Sequence, residues 1–226
     1  MKKGIAYGVG VGPGDPELMT LKAVRLLREN DVIAVPGANA RESVAYRIAV
    51  QNVPELAHKT LVPLELPMCR DTAALRTEHR RCADTIEAYL EQGKNVVYIT
   101  LGDPTVYCTF SYIQHILETD GYTVELVSGV TSFCAAAARA NRPLAEGDEQ
   151  LHILPAVHMS AEDLAYPGNY VLMKSASRMK TVKALLHRSG KTVCAVRNCG
   201  MPDEQFYRDL AEIPDDAGYF TLLLAR

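Results

Sequence analysis

The stretch GIAYGVGVGPGDPELMTLKAVRL, residues 4–26, decides the fold. Ile5, Tyr7, Val9 and Val11 are apolar and β-prone, which predicts a strand. Glycines at 8, 10, 12 and 14 remove the Cβ atoms that would keep the backbone from turning or from meeting a ligand closely. Asp15-Pro16-Glu17 then reads as a helix start: Asp15 as N-cap, Pro16 at the first helical position, and Glu17 complementing the positive end of the helix dipole. The unit is strand, glycine loop, helix.

The glycines invite comparison with the dinucleotide fingerprint G-x-G-x-x-G, and the letters fail it. Starting at Gly8 the third glycine falls on Pro13; starting at Gly10 it falls on Asp15. No G-x-x-x-x-G-K-[ST] run is present either. A phosphate cradle needs free N–H groups and no anion at the helix N-terminus, whereas this loop places Pro13 and Asp15 there. Two readings of the loop follow. One is close approach to a neutral or cationic ligand with hydroxyls to hold; the other is a tight turn with a good helix cap.

Working outward, the chain has 226 residues, enough for one large α/β domain or two smaller ones. With 24 Lys plus Arg against 27 Asp plus Glu, the balance is slightly acidic, which argues against a nucleic-acid partner. Apolar residues make up 48% and are spread throughout, a globular composition. The sequence shows neither an apolar run of membrane-spanning length nor a signal-peptide pattern after Met1-Lys2-Lys3. A cytoplasmic protein with no membrane partner is therefore expected. The six cysteines, at 69, 82, 108, 134, 194 and 199, show no C-x-x-C and read as reduced, mostly buried thiols. His115 with Glu118 is too thin a pair for a metal, and no metal site is expected.

Along the chain, apolar residues at 18, 21, 24 and 27 predict a helix from Pro16 to Arg28. Residues 31–36, DVIAVP, read as a buried strand ending near Gly37. Ser43 is placed to cap a helix running to about Val53. Thr60–Leu64 reads as a strand and Thr72–Gln92 as a long charged helix stopped by Gly93. The segment NVVYITLGDPTVY, 95–107, repeats the opening device: a buried strand, then Gly102-Asp103-Pro104 as glycine, cap and first helical proline, then a helix over 105–118. A third copy runs from the strand 124–127 through Ser128-Gly129-Val130 to Thr131 and Ser132 before an alanine-rich helix. Strands alternating with helices imply a mainly parallel sheet, with the loops 10–16, 101–107 and 128–132 on its carboxyl rim.

From about Pro143 the texture changes. Strands are expected at 151–154, 169–173, 192–197, 205–208 and 219–225, with a clear helix at 178–189. The fold class expected is α/β: two α/β/α domains, residues 1–129 with a mainly parallel sheet and residues 130–226 with a mixed one, and a ligand cleft between them.

These segments together resemble the tetrapyrrole methylase family, in its branch acting at C20 of precorrin-2. The resemblance rests on YGVGVGPGDPELMTLKAV at 7–24, DVIAVP at 31–36, LPM at 66–68 and GDPTVYCTFSYI at 102–113. It continues with VSGVTSFCAAAA at 127–138, VLMKSASRMKTVK at 171–183, GMPDE at 200–204 and YFTLLLAR at the end. It implies a homodimeric methyltransferase of corrin-ring biosynthesis that uses S-adenosylmethionine on a tetrapyrrole substrate, precorrin-2 or its cobalt form. Other branches of the family, methylating another ring carbon or the diphthamide precursor, and a non-catalytic nucleotide-binding module are the alternatives. By resemblance Pro13 lines the cleft, Leu101, Gly102, Asp103 and Val106 hold the donor, and Thr131 and Ser132 contact it. Met173, Asn198, Gly200 and Thr221 complete the site from the second half. Cys108 and Thr109 stand where smaller residues are expected. No side chain is assigned as a catalytic base. Tyr107 is either near the reacting centre or packed on a neighbour; Lys174, Arg178 and Lys180 either meet substrate carboxylates or form a solvated helix start.

Overall fold

The structure is a computed structural model describing residues 2–66 and 71–226, so Pro67 and Met68 of the 66–68 motif lie outside the described residues. The chain divides into two compact units, Met1–Thr131 and Ser132–Arg226, a division two residues beyond the one read from sequence.

In the first unit, β1 (Ile5–Gly10), β2 (Val32–Pro36), β3 (Thr60–Leu64), β4 (Val96–Thr100) and β5 (Thr123–Val127) form one sheet in the order β3-β2-β4-β1-β5. Every pairing is parallel, with Gly10 opposite Thr100 and Val9 opposite Val127. Helices cover both faces. Val9, Ile33, Val35, Val97 and Ile99 pack with α1 (Leu21–Glu29) and α2 (Val44–Asn52). Their strand neighbours Ala6, Val32, Ala34, Val96 and Tyr98 point the other way and pack with α3 (Thr72–Leu90) and α4 (Phe110–Thr119). β1 feeds α1 on one face and its neighbour β4 feeds α4 on the other, so the strand order reverses at this pair, the place on the carboxyl rim where parallel sheets bind ligands.

Two helix starts differ from expectation. Asp15 caps a single turn, Pro16–Leu18, by accepting from Glu17 N–H (2.9 Å). Met19 is extended, and Thr20 then caps α1 through Ala23 N–H (3.2 Å). Two start signals stand in series, and the chain uses both. The helix expected from Thr105 begins only at Phe110, because Tyr107 takes a left-handed φ of 49° that no helix continues through. Ser43 stands at the cap position of α2, but its hydroxyl makes no capping bond.

The second unit opens with α5 (Ser132–Arg139). Its sheet, in the order β6-β7-β10-β8-β9, comprises β6 (Leu151–Pro155), β7 (Asn169–Met173), β8 (Val193–Arg197), β9 (Gln205–Tyr207) and β10 (Thr221–Ala225). β6 and β7 are parallel and the other pairs antiparallel, so the sheet is mixed. Tyr170, Leu172, Ala195 and Leu223 form its core with Met179, Val182 and Leu186 of α6 (Met179–Ser189). The register sets Leu223 opposite Leu172 and Thr221 opposite Arg197, so β10 begins on the edge where β7 and β8 end. Among the described residues, no helix is long and apolar enough to cross a membrane.

Candidate functional site

On the carboxyl rim of the first sheet, three loops are tied together by backbone. Gly12 N–H donates to Gly102 O (3.3 Å) and Gly102 N–H donates to Gly12 O (2.8 Å), a two-residue antiparallel bridge between the loops after β1 and β4. The third loop crosses at Gly129. A Cβ on Gly129 would lie 2.1 Å from Gly102 O, and one on Gly10 would lie 2.4 Å from the same oxygen. At Gly10, one of the glycines read as allowing a turn or a close ligand approach, and at Gly129, the missing Cβ thus makes room for neighbouring backbone. Gly12 additionally needs its left-handed φ of 79°.

Asp103 completes the tie. Only 7% exposed, its carboxylate accepts through Oδ1 from Thr105 N–H (2.8 Å) and the Thr105 hydroxyl, and through Oδ2 from Gly129 N–H (2.9 Å). Expected to cap α4, it caps a turn and clamps the β5 loop instead. Pro13 and Gly102 are buried, and Leu101 and Val106 are half-buried. Thr131, at the end of the third loop, has a hydroxyl oxygen shielded from solvent with no hydrogen-bond partner among the described residues. The loops 10–15, 101–107 and 128–131 hold two carboxylates and no Lys or Arg, a rim suited to a neutral or cationic ligand and hostile to phosphate. Cys108 turns inward: its thiol lies 3.2 Å from Thr100 Oγ1 and accepts from Phe110 N–H (3.4 Å), so it links the loop to β4.

In the second unit, Met173, Asn198, Gly200 and Thr221 share the edge where β7 and β8 end and β10 begins. Side chains hold this edge. Asn198, left-handed at φ 51°, donates its N–H to Phe220 O (3.0 Å) and its amide to Asp203 Oδ2 (2.6 Å). Gly200 N–H donates to Glu204 Oε2 (2.6 Å), and Arg139 of α5 grips the same carboxylate with Nη2 2.6 Å from Oε1. Burial pushes the Glu204 carboxyl up, but Arg139 and the Gly200 N–H outweigh it and hold its pKa below the ordinary 4.5. The buried Thr221 hydroxyl donates to Ala217 O (2.7 Å). Met173 is half-buried at the strand end, and Ser132 is half-buried at the start of α5.

The structure adds two features that the sequence did not signal. Lys174 follows β7 with a left-handed φ of 56°, a strain of about 1–2 kcal/mol for a residue with a Cβ. Ser175, fully buried, has a hydroxyl without a partner among the described residues. Neither a lysine nor a serine after a strand carries a conformational signal of this kind.

The family described as Tetrapyrrole (Corrin/Porphyrin) Methylases matches residues 6–214. A Methanocaldococcus jannaschii protein named "Probable cobalt-precorrin-2 C(20)-methyltransferase" is 35% identical over 200 residues, 88% of this chain and 84% of its own. A Sinorhizobium protein named "Precorrin-2 C(20)-methyltransferase" is 33% identical over 233 residues, 98% of this chain and 94% of its own. Among solved structures, a uroporphyrin-III C-methyltransferase from Thermus thermophilus complexed with S-adenosyl homocysteine superposes with a TM-score of 0.71 at 24% identity. That superposition covers 98% of this chain and 97% of the other, and it shows the shared fold.

Proposed function

The chain belongs to the tetrapyrrole methylase family, and on that premise we propose that it transfers a methyl group from S-adenosylmethionine to C20 of precorrin-2 or of its cobalt form. The observation that carries this reading is the likeness to relatives bearing that name, which runs through both units and covers 88% and 98% of the chain. The reading includes a homodimeric, cytoplasmic enzyme, as the resemblance implies.

Donor contacts are proposed from the first unit at Pro13, Leu101, Gly102, Asp103, Val106 and Thr131, and from the second at Ser132, Met173, Asn198, Gly200 and Thr221. Two observations support the fit. The buried Thr131 hydroxyl lacks a partner, which a hydroxyl- or amine-bearing ligand supplies. The first rim also carries carboxylates and no cation, in keeping with a sulfonium compound that has no phosphate.

The donor, when bound, supplies a methyl group already activated on a positive sulfur, which electron-rich C20 displaces in line. The protein therefore needs positioning and exclusion of water more than acid or base strength; well-oriented reactants gain effective molarities of ~10⁵ M and above. The bridged glycines and the Asp103 clamp hold the first rim rigid enough for that. Lys174 and Lys180 are proposed to meet the substrate's carboxylates. The Arg178 guanidinium donates to Val157 O (3.1 Å) and so orders the segment that carries them.

The test is incubation of the protein with donor and each tetrapyrrole, metal-free and cobalt-loaded, followed by mass spectrometry. One added methyl on either substrate supports the proposal; no mass gain on both removes it.

A further inference from the structure

The half-buried cations of the second unit differ in what holds them. Arg178 donates to Val157 O, Lys183 to Ile213 O and Asp215, Lys191 to Gly168 O, and Arg226 to Glu146 and Glu149. Arg197, also half-buried, ends β8, and its guanidinium has neither a hydrogen bond nor an ion pair among the described residues. The register sets Arg197 opposite Thr221 on one side and Gln205 on the other. Its guanidinium lies against Gly218, where a Cβ would sit 3.7 Å from Arg197 Nε. Carboxylates of the neighbouring loops are committed elsewhere: Asp203 accepts from Asn198, Glu204 from Gly200 N–H and Arg139, and Asp215 from Lys183.

Partial burial strips water from a guanidinium, and here no anion of the fold replaces it. Arg197 ends its strand on the edge shared by Met173, Asn198, Gly200 and Thr221, the residues proposed to hold the donor. Gly218 is followed by Tyr219 and Phe220, both exposed and set edge to face with centroids 5.2 Å apart, and Phe220 O accepts from Asn198 N–H (3.0 Å). One turn thus brings an unpaired guanidinium and exposed aromatic surface to the same edge. That combination suits a flat ligand with apolar faces and carboxylates around its periphery. We propose that Arg197 binds a peripheral carboxylate of the tetrapyrrole, its planar fork taking both oxygens, and so sets which way the macrocycle is turned. This inference rests on the proposed C20 methylation.

Arg197→Gln and Arg197→Lys, made in the full chain, test the proposal through three readouts: the melting midpoint, calorimetric affinity for S-adenosylhomocysteine, and KM and kcat with precorrin-2 at low and high salt. Arg197→Gln is expected to melt no lower than wild type, because no protein group loses a bond, and to bind S-adenosylhomocysteine within about twofold of wild type. Its KM for the tetrapyrrole rises about tenfold and varies less with salt than the wild-type KM. Arg197→Lys, which keeps the charge but not the fork, recovers part of that loss. A wild-type KM in Arg197→Gln overturns the proposal, as does a midpoint lowered in both variants with KM unchanged, which makes the guanidinium a structural prop. Weakened S-adenosylhomocysteine binding with an unchanged tetrapyrrole KM gives Arg197 to the donor's carboxylate and overturns its assignment to the macrocycle. A wild-type protein that neither binds nor methylates the tetrapyrrole overturns the functional reading together with this one; turnover by wild type with indifferent variants overturns this one alone.

Discussion

The two rims solve the same problem with different parts. In the first unit, backbone meets backbone: Gly12 and Gly102 exchange hydrogen bonds while Gly10 and Gly129 both close on the Gly102 carbonyl oxygen. In the second unit, side chains do the bracing, with Asn198 on Asp203, Gly200 on Glu204 and Thr221 on Ala217. Backbone packing leaves no room for a Cβ and so writes itself into the sequence as glycines. Side-chain braces leave scattered polar letters that look like surface. The first rim should therefore fail abruptly when altered, and the second by degrees.

The largest effect is expected for Gly129→Ala. Its Cβ would meet Gly102 O at 2.1 Å, with backbone rather than a flexible side chain as the obstacle, and should cost about 3 kcal/mol in a urea titration. Asp103→Ala follows, at about 2–3 kcal/mol, because it strips charge-assisted partners from the Thr105 and Gly129 N–H groups; Asp103→Asn should recover part of that. If Asp103→Ala leaves stability intact, the clamp has been misread.

On the second rim, Glu204→Gln should cost only about 1 kcal/mol, since Arg139 is largely exposed and the pair is screened. Glu204 has a lowered pKa, so its contribution is fully present above the ordinary 4.5 and fades as pH falls through the depressed value. The stability gap between wild type and Glu204→Gln should accordingly narrow on acidification below that range. A gap independent of pH would show that charge is not what binds the brace.

Smallest of all in stability is Thr131→Val, expected to change it by less than about 0.5 kcal/mol because the hydroxyl it removes has no partner. Calorimetry should nevertheless show affinity for S-adenosylmethionine reduced about three- to tenfold. Unchanged affinity would detach Thr131 from the donor.

The same contrast explains what the sequence disclosed. Strands buried on both faces are continuous apolar runs, so Val32–Val35 and Val96–Ile99 were plain, and β3 and β7 fall on the residues expected. The starts of α1 and α4 were not legible. An acid followed by proline supports a short turn as well as a helix, and at Asp103 the choice is made by Gly129, whose N–H comes from 26 positions away. The glycines of the first rim are plain in the sequence, whereas the packing of Gly10 and Gly129 on the Gly102 backbone needed coordinates. The second rim was visible only through family likeness, and the strained Lys174 was not visible at all.

The proposed reaction transfers a methyl group to one carbon of one macrocycle. Its most direct test gives the protein precorrin-2 and S-adenosylmethionine labelled isotopically in the methyl group, then locates the label in the product by nuclear magnetic resonance. A single labelled methyl at C20 is the result predicted; label at any other ring carbon, or none in the macrocycle, contradicts it.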